Sequence, residues 1–122
     1  IQKWIRFLAE EYPGTVRAIQ LQNETTRRPM LTHEGRTIDV IKIGIPHPDS
    51  IPKPAIWIDG GIHAREWAAP AVVLYLVDQL LKGANDDHFI VKRYLDHIDW
   101  YLLPVANPDG YEYSRNFVSF RN

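Results

Sequence analysis

Apolar side chains recur at helical spacing through residues 1–12 of the chain. A helix would place all of them on one face, and the Pro-Gly pair at 13–14 follows directly. The pattern therefore predicts an amphipathic helix that ends before residue 13. The apolar residues that define its buried face are Ile1, Trp4, Ile5, Leu8 and Tyr12.

Four later segments have the pattern of β-strands. Residues 15–21 have the composition of a short strand, and residues 38–45 alternate apolar and polar positions, as a strand with one buried face does. Residues 55–59 and 98–106 are nearly continuous apolar runs, which are typical of strands covered on both faces. The polar stretch 23–36 is rich in turn-forming residues and predicts a hairpin-like connection between the first two strands.

Two further segments have the pattern of helices. Residues 67–82 are apolar on almost every side and are followed by a glycine, which predicts a buried helix with a glycine cap. Residues 86–97 open on two aspartates, which favour helix starts. The order of elements predicts an α/β fold with a mixed, mostly parallel central sheet flanked by helices, its parallel strands joined by right-handed crossovers.

Several other residues are predicted to have structural roles only, in a turn or in the core. Asp109 and Gly110 belong to an Asn-Pro-Asp-Gly sequence, which predicts a turn. Aromatic residues inside the apolar runs are predicted to lie in the core rather than on a binding surface. These are Trp57, Trp67, Tyr75, Trp100 and Tyr101.

Composition narrows the class of protein. With 122 residues, 45% of them hydrophobic, the chain can bury one modest core, so we expect a single domain. A net charge of −1 gives no basic patch for nucleic acid or an anionic membrane, and no apolar run reaches the roughly 20 residues of a membrane span. The absence of cysteine excludes disulfides and thiol nucleophiles. A small molecule or a peptide is therefore the expected partner.

The candidate chemistry lies in the loop after the third predicted strand. Gly60 and Gly61 permit a sharp turn, and His63 and Glu66, three residues apart at a helix start, would project to one side. An imidazole and a carboxylate facing one point suit Zn²⁺, although catalytic zinc takes three protein ligands. A surface histidine beside a glutamate that favours the helix start remains the alternative. The loop after the fourth strand, residues 106–111, should share the same crevice.

Two stretches of the sequence resemble blocks of one enzyme family. The stretch WIDGGIHAREW at 57–67 resembles the signature of zinc metallocarboxypeptidases of the pancreatic carboxypeptidase A/B type. The stretch NPDGYEYSR at 107–115 resembles a second block of that family, in the same order and at a similar separation. The resemblance implies that residues 1–122 are the N-terminal portion of one zinc carboxypeptidase catalytic domain.

The resemblance also implies roles for individual residues. His63 and Glu66 would be zinc ligands, with one Zn²⁺ per complete domain, and Arg65 would contact the substrate peptide beyond the scissile bond. Arg121 would be the catalytic arginine that polarises the scissile carbonyl, with an ordinary solvated arginine as the alternative. The third ligand, the general base and the carboxylate-binding residues are expected beyond residue 122. Four other histidines are interpreted as surface residues: His33, His47, His88 and His97.

The function expected from this resemblance is zinc-dependent hydrolysis of the C-terminal peptide bond of peptides and proteins. We expect a secreted or extracellular enzyme that is monomeric when complete, without nucleic-acid or membrane partners, and an inactive 122-residue chain on its own. A glycosylation acceptor triplet at 23–25 is compatible with secretion. Apolar and basic C-terminal specificity both remain open. The alternatives are a related zinc amidohydrolase acting on modified peptides, and an inactive zinc-binding or interaction fragment.

Overall fold

Four strands form one mixed sheet in the computed structural model, which describes residues 1–49 and 51–118. The order across the sheet is β1-β2-β4-β3, and β3 pairs with β4 in parallel while the other two pairings are antiparallel. The strands are β1 (Val16–Gln20), β2 (Asp39–Ile43), β3 (Ala55–Asp59) and β4 (Asp99–Leu103).

The α/β class and the mixed sheet flanked by helices are confirmed. The expected majority of parallel pairings is wrong within the described strands, where only β3 and β4 are parallel. The reason lies in the connections. A parallel neighbour needs a long crossover, and α2 and α3 supply one between β3 and β4, whereas β1 and β2 are joined by the polar 23–36 segment.

Four helices complete the described part of the chain. Helix α1 ends before Pro13, as the apolar spacing predicts. No helix within residues 1–49 and 51–118 is long and apolar enough to cross a membrane. The helices are α1 (Gln2–Glu11), α2 (Ala68–Asn85), α3 (Phe89–His97) and α4 (Pro108–Val118).

The main core lies between α1, α2, α3 and one face of the sheet. Val16 lies opposite Ile43, and Ile41 lies opposite Leu102, so these side chains share a face. Apolar residues of the three helices pack against them. The helical members of this core are Ile5, Leu8, Val73, Val77, Leu80, Leu81 and Leu95.

Helix α2 differs from its predicted form at both its end and its surface. It continues through Gly83 to Asn85, so the predicted glycine cap is wrong. A Cβ at Gly83 would lie 2.6 Å from Val91 Cγ2 of α3, so the glycine serves close helix packing instead. Only one stripe of the helix is buried, and Val72 and Tyr75 on its other side are exposed.

Three of the aromatic residues predicted for the core are exposed. The exposed fractions are 50% for Trp57, 44% for Trp67 and 64% for Tyr75. Exposed and partly buried residues alternate along β3, so only one of its faces is covered within the described residues. Trp57 lies on the other face, with Ala55 and Asp59. Trp100 packs against the core and Tyr101 is half-buried, so the prediction holds better on the inner strand β4.

The sidedness of α1 can be tested with two adjacent apolar residues. Leu8 is 6% exposed and Phe7 is 51% exposed. We expect Leu8→Ala to lower the free energy of unfolding by about 2–5 kcal/mol, because it removes core contacts and leaves a cavity. We expect Phe7→Ala, the matched control, to change it by less than about 0.5 kcal/mol. Urea denaturation measures both values, and equal losses would contradict the assigned buried face.

Candidate metal and substrate site

Backbone pairing continues beyond the ends of β3 and β4 and brings two loops together. Gly60 donates its N–H to the Leu103 carbonyl at 2.9 Å. The N–H groups of Ala106 and Asn107 then donate to the carbonyls of Gly60 and Gly61 at 2.8 and 3.0 Å. The loop that carries His63 is therefore fixed to the loop that opens α4, at the carboxyl ends of two parallel strands.

The two glycines are required by the turn between β3 and α2. Gly61 has a φ of +67°, in the left-handed region that favours glycine. A Cβ on Gly60 would lie 3.0 Å from the Ala69 carbonyl oxygen, and a Cβ on Gly61 would lie 3.1 Å from Pro70 Cγ. Side chains at these positions would push the first turn of α2 away from the strand end.

His63 and Glu66 converge on this turn. The imidazole Nδ1 lies 3.2 Å from Glu66 Oε2, and the Glu66 N–H donates to the His63 carbonyl at 3.1 Å. Both side chains are largely open to solvent, with exposed fractions of 73% and 61%. One nitrogen and one carboxylate donor, adjacent and accessible, fit a borderline metal such as Zn²⁺. Within residues 1–49 and 51–118, no third His, Cys, Asp or Glu joins them.

Arg65 borders the same open cavity as this pair. The cavity has a volume of about 500 Å³, and Ile62 and Asn107 also line it. The structure thus places the predicted substrate-binding residue beside the predicted ligands. The predicted catalytic residue, Arg121, lies outside the described residues.

The second block begins a helix, so the predicted turn at Asp109-Gly110 is wrong. Asn107 Oδ1 accepts the Gly110 N–H at 2.9 Å, and its carbonyl accepts the Tyr111 N–H at 3.0 Å, as a helix N-cap does. Asn107 also donates its side-chain amide to the Ile62 carbonyl at 3.3 Å. Turn chemistry and N-capping use the same residue types, and only the following backbone decides between them.

Ser114 on α4 joins the helix to the loop that carries His63 and Glu66. Its hydroxyl accepts a hydrogen bond from Trp67 Nε1 at 2.9 Å and lies 2.9 Å from the Ala64 carbonyl, to which it can donate. Trp67 and Ala64 flank Glu66 and His63, so one hydroxyl holds both sides of the turn. The sequence analysis missed this residue, because the spacing of a serine on a helix carries no signal for a contact 50 positions away.

Asp109 fixes the other side of α4 to the 23–36 segment. Its carboxylate accepts the Thr32 hydroxyl at 2.8 Å, the Glu34 N–H at 3.0 Å and an Arg36 N–H at 2.6 Å. Desolvation raises the pKa of the Asp109 carboxyl, but these hydrogen bonds outweigh it and hold the pKa below its ordinary value. The carboxylate therefore stays ionised at neutral pH. Hydrogen bonds with Glu34 and then Asp109 raise the pKa of Arg36.

The four other histidines lie on the surface, as predicted. His97 Nδ1 is 2.9 Å from the Arg93 carbonyl one turn earlier in α3, and His47 Nδ1 accepts the Asp49 N–H at 3.2 Å. His33 and His88 are exposed on a loop and at the start of α3. The described histidines other than His63 therefore form no group with the Glu66 carboxylate.

Comparisons with known proteins agree on one family. The sequence profile described as zinc carboxypeptidase matches residues 1–121. The chain is similar to carboxypeptidase B of Astacus astacus, with 37% identity over 93% of this chain and 33% of that protein. It is also similar to carboxypeptidase B of Rattus norvegicus, with 39% identity over 93% of this chain and 25% of that protein. The chain thus spans a third or less of the length of these relatives.

A solved structure shows the same fold. The chain is similar to thrombin activatable fibrinolysis inhibitor, with a TM-score of 0.77 and 33% identity over 92% of this chain and 25% of that structure. Carboxypeptidase A from Helicoverpa armigera gives a TM-score of 0.70 and 27% identity over 92% of this chain and 24% of that structure. The described sheet and helices therefore correspond to the N-terminal part of carboxypeptidase folds.

The Ser114 contacts predict a positioning role that hydrogen exchange can detect. We expect Ser114→Ala to speed amide exchange across residues 62–67 and to cost about 1 kcal/mol of stability, because Trp67 Nε1 loses its partner. Ser114→Thr, which keeps the hydroxyl, should restore slow exchange. Asn116→Ala is the matched control on the same helix. Unchanged exchange in Ser114→Ala, or equal acceleration in the control, would contradict the role.

Proposed function

Because the chain belongs to the zinc carboxypeptidase family, we propose that the whole protein is a metallocarboxypeptidase. It hydrolyses the C-terminal peptide bond of peptides and proteins. The observation that carries this proposal is the convergence of His63 and Glu66 at 3.2 Å beside an open cavity. That cavity lies at the carboxyl ends of parallel strands, where α/β proteins bind their ligands.

His63 and Glu66 supply two of the three protein ligands that a catalytic zinc requires, and the third lies in the remainder of the protein. When bound, zinc acidifies a water molecule to a pKa of about 7 and polarises a carbonyl group. The residues of this chain hold and orient the ligands. The short turn between Gly60 and α2 fixes their spacing, and the contacts of Asn107 and Ser114 limit the movement of that turn.

Arg65 is proposed to bind the substrate backbone away from the reacting bond. It lies between the two proposed ligands in sequence and lines the same cavity. A guanidinium presents a planar fork of donors and can hold peptide carbonyl oxygens in a fixed orientation. Arg121 is proposed to stabilise the oxyanion that develops on the scissile carbonyl.

The proposed partners are peptide or protein C-termini, and the complete enzyme is proposed to be a secreted or extracellular monomer that needs neither nucleic acid nor a membrane. Secretion is supported by the exposed glycosylation triplet that begins at Asn23. Asn23 Oδ1 accepts hydrogen bonds from the backbone N–H groups of Thr25 and Thr26, at 3.0 and 2.9 Å, in an exposed turn. A related zinc amidohydrolase is the second candidate, since the same ligands would serve amide bonds of modified peptides.

The ligand assignment predicts joint loss of metal and activity. In the full-length protein, His63→Ala and Glu66→Ala should each abolish stoichiometric zinc and C-terminal hydrolysis, because a three-ligand site tolerates the loss of one ligand poorly. His33→Ala, an exposed histidine in a loop, is the matched control and should keep both. Metal analysis by mass spectrometry and hydrolysis of C-terminally unblocked peptides measure the outcome. Full zinc content in both ligand variants would refute the assignment, and a zinc-loaded wild type inactive on such peptides would favour the amidohydrolase or the noncatalytic alternative.

The proposed role of Arg65 predicts a dependence on substrate length. Arg65→Ala should lower kcat/KM for peptides of several residues by about 10- to 100-fold, the loss expected for hydrogen bonds from a charged donor. Minimal blocked dipeptides should lose much less, because they lack the distant carbonyl groups. Arg93→Ala, an exposed arginine on α3, is the control. Equal losses on long and short substrates would exclude this role.

A further inference from the structure

A second cavity lies at the opposite end of the sheet from His63. It has a volume of about 350 Å³ and is bordered by Thr15, Gly44, Lys53 and Asp99, which lie before β1, after β2, before β3 and at the start of β4. The five-residue strand β3 separates the two cavities by about 17 Å. Nothing in the proposed peptidase chemistry uses this second cavity.

Two cations face each other across the strands beside this cavity. Arg17 and Lys42 are directly opposite partners of the antiparallel β1–β2 pair, and both line the cavity. Side chains of directly opposite residues lie on the same face, about 5 Å apart at Cβ, where like charges destabilise the pair. The side chain of Arg17 makes no hydrogen bond or ion pair with residues 1–49 or 51–118. The charge of Arg17 is therefore uncompensated within the described residues at the rim of the cavity.

A third cation is built into the wall. Lys53 is buried, with a side-chain exposure of 7%, and its Nζ donates to the Ile45 and Leu95 carbonyls at 2.7 and 2.8 Å. Nζ also lies 3.0 Å from Asp99 Oδ1. A Cβ on Gly44 would lie 2.4 Å from that oxygen and 3.0 Å from Nζ, so this position has no room for a side chain. The wall is thus fixed in place before any ligand arrives.

One carboxylate serves the lysines of this cavity. Asp99 contacts Lys42 Nζ at 2.6 Å through Oδ2 and Lys53 Nζ at 3.0 Å through Oδ1. Arg17, Lys42 and Lys53 therefore carry three positive charges against one negative charge among the lining residues, apart from His47. Lys42, with one ion-pair partner, keeps donors for a ligand, and so does Arg17.

We propose that this cavity binds a tetrahedral oxyanion, a phosphate or sulfate group, between Arg17 and Lys42. Such a group would place negative charge between two cations that otherwise repel each other. Charge-assisted hydrogen bonds from a guanidinium and an ammonium suit its oxygen geometry. The Thr15 hydroxyl on the same wall offers a further donor. Lys53 contributes charge rather than contacts, since its three donors already have partners.

The binding can be measured in the full-length protein with inorganic phosphate. Isothermal titration at constant ionic strength, with sodium chloride replacing phosphate in the reference, separates specific binding from general screening. We expect saturable binding that weakens at least tenfold in Arg17→Gln and in Lys42→Gln. Arg17→Lys, which keeps the charge, should retain most of the affinity. Arg93→Gln makes the same charge change on α3 and should bind phosphate like the wild type.

A comparison of probes identifies the source of the oxyanion. Phenyl phosphate that binds at least tenfold more tightly than inorganic phosphate would indicate a group carried by an organic molecule, and equal affinities would indicate the free ion. Either result supports the proposal. It is overturned if neither probe binds saturably, or if Arg93→Gln weakens binding as much as Arg17→Gln. Thermal melting confirms that Arg17→Gln is folded, and the assay is independent of peptidase activity, so its failure leaves the proposed function intact.

Discussion

The parallel pairing of β3 with β4 is the constraint on which the candidate site depends. It continues past both strands through the hydrogen bonds of Gly60 and Gly61 with Ala106 and Asn107. Because the pairing is parallel, the loops that follow β3 and β4 both leave the sheet at the carboxyl ends of the strands. If β4 were antiparallel to β3, the loop after β4 would leave at the opposite end of the strands. The turn that carries His63 and Glu66 is a neighbour of α4 for this reason, although more than 40 residues separate them in sequence.

Side-chain contacts convert this neighbourhood into a rigid one. Asn107 caps α4 and holds Ile62, while Ser114 lies between Trp67 and Ala64. The side chains of His63 and Glu66 are exposed and make polar contacts only with each other among the described residues, so their position is set by these surrounding groups and by the glycine turn. Precise placement of metal ligands generally depends on such supporting contacts. Asp109 extends the support further, to the 23–36 segment.

The two ends of the sheet carry different sets of charged side chains. At the carboxyl ends of β3 and β4, an imidazole and a carboxylate stand together and can attract a cation. At the other end, Arg17 and Lys42 stand together, and Asp99 neutralises only part of the positive charge. Desolvation raises the pKa of Asp99, but the hydrogen bonds and charges of Lys42 and Lys53 lower it by more. The carboxyl therefore stays ionised. The same strands thereby hold a candidate cation site and a candidate anion site.

The sequence by itself predicted every described helix and strand except α4, and it identified the candidate chemistry. Local periodicity is sufficient for α1, because burial of one face repeats at fixed intervals along a helix. The residue types of segments 15–21 and 38–45 likewise predict β1 and β2, although β2 is buried on both faces and not on one. The loop with His63, Arg65 and Glu66 could be proposed as a site because it lies within one continuous sequence block that resembles a family signature. Tertiary structure alone decided what depends on distant neighbours. Trp57 lies on the uncovered face of β3, Gly83 packs against Val91 inside a continuing α2, and Asn-Pro-Asp-Gly begins a helix instead of a turn. Ser114 acts on a turn 50 positions away, and Arg17 meets Lys42 only through strand register, so no pattern along the chain could reveal either contact.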